Sequence, residues 1–140
     1  MQTLSQIVHH VEPETVLRAM PFAAFLGVRL SLAGDELTAQ LPFQDKLIGN
    51  PMIPALHGGV IGAFMEVTAM AQLALSENFD HIPKPIDVTV QYLRSGRAID
   101  AFARAVLNRV GRTVANVEVC AWQERRDQPI AALQAHFLIE

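Results

Sequence analysis

Polarity along the chain changes character at one stretch. From Leu47 to Ser76 the only formally charged side chain is Glu66, with His57 taken as neutral. The residues after His57-Gly58-Gly59 are almost uniformly apolar, which predicts a helix buried on nearly every side and fading around residues 76–78. Upstream, residues 13–26 predict a short helix begun by Pro13 and broken before Pro21, then an apolar turn or second helical piece ending at Gly27. Segments 28–33 and 36–41 flank Gly34-Asp35 as a hairpin-like pair of strands. Pro42 to Leu56, with prolines at 42, 51 and 54, reads as one long loop, and loops of that length inside compact domains tend to be functional.

The last third alternates with a period of two. Ile86, Val88, Val90 and Tyr92 interleave with Asp87, Thr89 and Gln91, the pattern of a half-buried strand. Residues 98–110 continue it, with Phe102, Arg104, Val106 and Asn108 on one side, and Gly111-Arg112 turns the chain into a strand over 113–123. Residues 124–128 (ERRDQ) form a charged hairpin tip, and 129–139 return as the last strand. Two strands, one buried helix and four strands joined by short turns predict an α+β domain. Its largely antiparallel sheet must curl around the helix, because nothing else in the chain could cover it. Residues 1–140 read as a single domain, with 1–20 as an N-terminal helical extension.

Composition narrows the function classes. Hydrophobic residues make up 51% of the chain and charged ones 18%, which argues against disorder and leaves apolar surface for an oligomer contact. A net charge of -3 argues against an ordinary basic nucleic-acid binder. Between Lys84 and Arg112, however, six bases stand against two acids, a patch suited either to a small anion or to a solvated sheet face. Residues 58–75 are long enough to raise a membrane span. Glu66 at the centre, Gln72, three glycines and no basic flank make a soluble protein the expectation. Residues 1–14 show no basic start and no apolar run of signal-peptide length. Cys120, the sole cysteine, excludes an internal disulfide and fits a reducing cytoplasm, and its apolar strand context predicts a core position.

The candidate chemistry lies at the loop-to-helix junction and in the helix. The first backbone N–H groups of a helix lack partners within it and sit at its positive end. Gly58 and Gly59 leave that end open, either as an oxyanion hole or to permit tight packing. Glu66 at mid-helix is costly as an ion unless partnered, so either an arginine such as Arg94 neutralises it or it is kept for chemistry. It lies eight residues beyond Gly58, ~12 Å along a helix axis. One chain therefore cannot bring both groups to one reacting carbon, whereas two copies with antiparallel helices could. His57 fits a cap for the junction, and Asn50 either orients a water or holds the turn. No metal-ligand spacing such as HExxH occurs, nor a serine in a G-x-S-x-G context, so neither a metal site nor a serine hydrolase triad is expected. His9, His10, His81 and His136 carry no pattern.

The segments LHGGVIGAFME, IDVTVQYLRSGR and NRVGRTVANVEVCAW, in this order and spacing, resemble the hotdog-fold acyl-CoA thioesterases of the PaaI-like (phenylacetate-degradation) group over roughly residues 20–139. The resemblance implies an antiparallel sheet wrapped around one long central helix, a homodimer or dimer of dimers, and hydrolysis of acyl-CoA without a cofactor. It implies that the Gly58 N–H polarises the thioester carbonyl while Glu66 of the other subunit acts as general base or nucleophile. His57 and Asn50 would assist, Gly59 and Phe64 would contact substrate, and Arg94, Arg97 and Arg112 would meet the CoA phosphates. Two alternatives stay open. One is a non-catalytic acyl-CoA binding module. The other is a β-hydroxyacyl dehydratase, echoed by Pro51-Met52-Ile53-Pro54 and Ala69-Met70-Ala71-Gln72 but requiring a histidine where Met52 stands.

Overall fold

The computed structural model describes residues 12–77 and 81–140; the histidines at positions 9 and 10 and most of the expected 1–20 extension lie outside that range. Helices α1 (Pro13–Arg18) and α2 (Pro21–Leu26) each open on a proline at the first helical position, where its missing N–H costs nothing and its φ is preset. Gly27, at φ 77°, ends α2 in the left-handed region that glycine enters without strain. Strands β1 (Arg29–Ala33) and β2 (Glu36–Leu41) pair around Gly34, also left-handed at φ 68°.

The segment expected to be a plain loop is ordered. After a 3-10 turn over Asp45–Leu47, strands β3 (Ile48–Asn50) and β4 (Ala55–Leu56) form a small two-stranded sheet. These strands, three and two residues long, are too short to show a period of two. Helix α3 (Gly58–Glu77) follows, then β5 (Lys84–Tyr92), β6 (Ala101–Val110), β7 (Val114–Trp122) and β8 (Ala131–Leu138). The main sheet has the order β1-β2-β6-β7-β8-β5, antiparallel throughout. It is an α+β fold in which the sheet wraps one central helix.

Register explains how the helix fits. Ala39, Ala103, Ala121 and Ala131 stand side by side across β2, β6, β7 and β8, and all four are buried. Four methyl-sized side chains in one row let the backbone of α3 approach the sheet closely, and Phe64, Met65, Val67 and Leu73 fill the space to either side. So long and apolar a helix could cross a membrane by length and composition, but here the sheet and the preceding elements cover all of it except one stripe.

Polar groups fix the rest. Buried Gln72 accepts the Leu37 N–H at 3.3 Å and donates to the Asp35 carbonyl and to Ser76 Oγ, tying α3 to the β1–β2 hairpin. Gln123 accepts the Arg97 N–H at 2.9 Å and donates to the Arg97 and Ile99 carbonyls at 2.8 and 3.2 Å. The segment between β5 and β6 is pinned in this way.

Two expectations need correction. Cys120 is exposed, not in the core. On β7 the inward positions are Ala115, Val117, Val119 and Ala121, which puts Cys120 on the outer face with Asn116 and Glu118. Strand β5 is less buried than its alternation suggests: only Val88 and Val90 are half-covered, and Ile86 and Tyr92 are 55% and 56% exposed. Alternation marks which face is apolar, but β5 is an edge strand that pairs with β8 on one side only.

Candidate active site

The N-terminus of α3 is held by contacts from three segments. The His57 N–H donates to the Leu47 carbonyl at 2.8 Å, and the Leu56 N–H donates to the Gly96 carbonyl at 2.9 Å. The His57 ring lies between two glycines. A Cβ on Gly49 would come within 3.0–3.2 Å of His57, and one on Gly59 within 3.0–3.1 Å of its ring. His57 Nδ1 accepts the Gly59 N–H at 2.9 Å, and its carbonyl accepts from Val60 and Ile61. These bonds use the early helix donors except one. The Gly58 N–H has no acceptor among the described residues, so it is the free donor at the positive end of the helix.

Tyr92, which the sequence marks only as a strand residue, sits over this turn. Its hydroxyl donates to the Gly58 carbonyl at 2.7 Å, and its ring atoms lie 3.5 Å from where a Gly58 Cβ would be. The same hydroxyl lies 3.6 Å from a Cβ position on Gly62. These are ordinary van der Waals distances, so nothing in the single chain forbids a methyl at 58 or 62. The case at Gly59 is different, because His57 occupies the space.

Glu66 is half-buried in mid-helix, on the stripe of Gly59, Gly62, Ala63 and Met70 that the sheet leaves uncovered. No cation or hydrogen-bond donor meets it among the described residues. Burial alone pushes its carboxyl above the ordinary carboxylate range. Arg94, the candidate partner, instead donates to the Pro129 carbonyl at 2.7 Å. Asn50 Oδ1 accepts the Met52 N–H at 3.0 Å and so holds the β3–β4 turn.

The other candidate residues are only partly assembled. Phe64 does not reach this surface: it is fully buried among the core residues, so no substrate can touch it without repacking. Arg94 and Arg97 lie at the Gly58 end of the sheet, where Arg97 Nη2 pairs with Glu124 at 2.7 Å. Arg112 lies in the turn beyond Val110, the full length of β6 away, which at ~3.3 Å per residue is about 33 Å. The three arginines of one chain therefore form no single cluster, because a hairpin separates residues that the sequence places close together. Among the described residues, no group of three His, Cys, Asp or Glu could hold a metal ion.

The family model described as the thioesterase superfamily matches residues 54–130, from the β3–β4 turn through the helix to the start of the last hairpin strand. The chain belongs to the thioesterase superfamily. It is a thioester hydrolase of the hotdog fold. It is 32% identical over 116 residues to the medium/long-chain acyl-CoA thioesterase YigI of Escherichia coli K12, covering 71% of this chain and 74% of that protein. A solved protein from Chromobacterium violaceum is 36% identical with a TM-score of 0.71, covering 89% of this chain and 87% of its own. A phenylacetic acid degradation-related protein from Ralstonia eutropha superposes with a TM-score of 0.77 at 21% identity, covering 91% and 98%, a likeness of fold.

Proposed function

We propose that this thioesterase hydrolyses acyl-CoA at a site shared by two subunits. The Gly58 N–H of one would hold the carbonyl oxygen, and Glu66 of the other would activate water or attack directly. The observation that carries the reading is a pair of unsatisfied groups on one helix: a free N–H at its first residue, Gly58, and a partnerless carboxylate at Glu66 on its uncovered stripe. Both must come within ~3 Å of one carbon, and their separation of ~12 Å along the helix rules that out in a single chain.

The partner enters along β5. Its outer edge is unpaired in the main sheet, and an open edge is a template for another strand. Antiparallel pairing of two β5 strands about a two-fold axis runs the α3 helices antiparallel, so that Glu66 of the partner approaches Gly58. The same operation brings the partner's β6–β7 turn, with Arg112, to the end of the joint sheet that carries Arg94 and Arg97. This reconciles the separated arginines with a single CoA. Glycine at 58 and 62 then has a reason outside the chain, namely close approach by substrate and by the second helix.

With Glu66 as base, its carboxylate takes a proton from water as the oxygen adds to the thioester carbon. The negative oxygen is stabilised by the Gly58 N–H and the helix end, worth ~3–4 kcal/mol for a well-placed donor. Collapse breaks the C–S bond, and the CoA sulfur leaves as thiolate and is protonated. No cofactor is required, and a cytoplasmic setting follows from the substrate. Exposed Met52 and Ile53 at the tip between β3 and β4 offer apolar surface for an acyl chain. The E. coli relative's substrates make octanoyl- and palmitoyl-CoA the first to test, beside acetyl- and phenylacetyl-CoA.

The test is release of free thiol from that panel by wild type and by Glu66→Ala. Release that is lost in the variant supports the reading. No release from any member, with CoA still raising the melting temperature, would replace it with a non-catalytic acyl-CoA binding module.

A further inference from the structure

The face of the sheet turned away from α3 carries a trough of about 540 Å³, lined from all four strands β5 to β8. Register gives its shape. The row Gln91–Ala132–Cys120–Arg104 crosses the four strands, and its two central members are small. To one side runs the row Thr89–Gln134–Glu118–Val106, with Gln134 donating to Glu118 at 2.8 Å. To the other side stands Trp122, its ring stacked with Phe102 at 6.2 Å between centroids. Ala132 and Cys120 thus form a low floor between an aromatic wall and an amide–carboxylate wall.

Charge at the trough is uneven. Arg104 is engaged, its Nε donating to Thr38 at 2.8 Å and its Nη1 facing Glu36 at 3.3 Å. Arg126 is not. Its guanidinium lies over the Trp122 ring at 5.3 Å, and no carboxylate pairs with it among the described residues, since Asp127 is taken by Arg125. A guanidinium held over an aromatic wall has its planar fork free for a carboxylate. The volume is within the usual range for a small-molecule site.

We propose that this trough is a second ligand site, separate from the thioester site, that takes a flat aromatic carboxylate. The ring lies on Ala132 and Cys120 against Trp122, and the carboxylate meets Arg126. A second copy of the sheet is a poorer occupant, because the small side chains of Ala132 and Cys120 would leave an unfilled hollow between the two faces.

The chain reports on this site directly, since Trp122 is its sole tryptophan and Cys120 its sole cysteine. The intact protein is titrated with 3-phenylpropionate and with 3-cyclohexylpropionate. Trp122 fluorescence and the rate of Cys120 alkylation by iodoacetamide are read together. Expected are a saturable fluorescence change and matching protection of Cys120 by the aromatic acid, unaltered in Glu66→Ala. Binding should weaken about tenfold in Arg126→Gln, the effect of losing one charged hydrogen bond, and disappear in Ala132→Leu. Arg126 is on an exposed hairpin tip, so its variant keeps the test valid if Ala132→Leu fails to fold. Absence of saturation, equal binding of the cyclohexyl acid, or full binding by Arg126→Gln would each overturn the proposal. So would a Cys120 that alkylates only after denaturation, because another copy would then cover the trough.

Discussion

The Tyr92 hydroxyl donates to the carbonyl of Gly58 across 2.7 Å, joining the end of edge strand β5 to the first turn of the buried helix. Tyr92 touches the residue whose N–H is free, and it comes from the strand along which a second subunit would dock. Removing only the hydroxyl, in Tyr92→Phe, keeps the ring against Gly58 and Gly62. A hydrogen bond of this kind is worth about 1 kcal/mol, so kcat should fall about fivefold with KM little changed. A rise in KM at constant kcat would show that Tyr92 contacts substrate without orienting Gly58.

Glu66 should govern both rate and stability. Glu66→Gln should lower kcat by ~100-fold or more, the loss expected for a general base. Burial favours its protonated form in the folded state. Between the unfolded pKa and the higher folded one, the native protein therefore binds more protons, and its stability falls as pH rises through that window. Above the folded pKa the penalty is complete. Glu66→Gln should melt at or above the wild-type temperature near neutral pH and lose that advantage in acid. Activity should run the other way, rising with pH past the ordinary carboxylate range. Thermal melts and a kcat–pH profile check both.

The two glycines at the helix entrance should respond differently to alanine. A Cβ at 58 meets nothing closer than Tyr92 at 3.5 Å, so Gly58→Ala should fold normally yet lose turnover by obstructing the shared site. A Cβ at 59 strikes the His57 ring at 3.0–3.1 Å. Gly59→Ala should break the helix cap and cost stability by about 1 kcal/mol. Melting temperature beside thiol release distinguishes the two, and a Gly58→Ala enzyme with full activity would remove Gly58 from the mechanism.

Oligomeric state should control activity. Because the proposed site takes one group from each subunit, specific activity should fall on dilution through the dimer dissociation range, in step with the mass seen by sedimentation. Ile86, exposed on β5, gives the corresponding variant: Ile86→Lys should shift both curves to higher concentration. Activity that is constant while dimers dissociate would place both groups in one chain.

Gln72 tests the packing of the helix. Gln72→Leu leaves the Leu37 N–H and the Asp35 carbonyl without their side-chain partner, and an unsatisfied buried polar group costs ~1–3 kcal/mol. The melting temperature should drop even though hydrophobicity increases.

Much of the fold is legible in the sequence. The uninterrupted apolarity around Glu66 required a wrapped helix, and the alternation after Ile86 required a sheet to wrap it. What stayed hidden was non-local. The β3–β4 pair is too short to have a period. The apolar neighbours Val119 and Ala121 suggest a core position for Cys120, although they face the opposite side of the sheet. Arg94, Arg97 and Arg112 are close in sequence, yet a full strand separates Arg112 from the other two. Tyr92 gave no signal, because its role depends on a carbonyl 34 positions earlier in the chain. His57 was readable as a cap, but the two glycines that confine its ring were not, since Gly49 meets it only through the fold.

Gln123 behaves in this structure as a borrowed peptide unit. Its amide pairs with both the N–H and the carbonyl of Arg97, as a neighbouring strand residue would. Next along the chain, the Gly96 carbonyl holds the Leu56 N–H, immediately before His57. The placement of the Gly58 N–H thus depends on the end of β7, more than sixty positions away in sequence. The amides of Arg97 and Leu56 should consequently exchange with deuterium as one cooperative unit, and an alteration at the ERRDQ tip should be felt at the carbonyl-binding end of the helix without touching it.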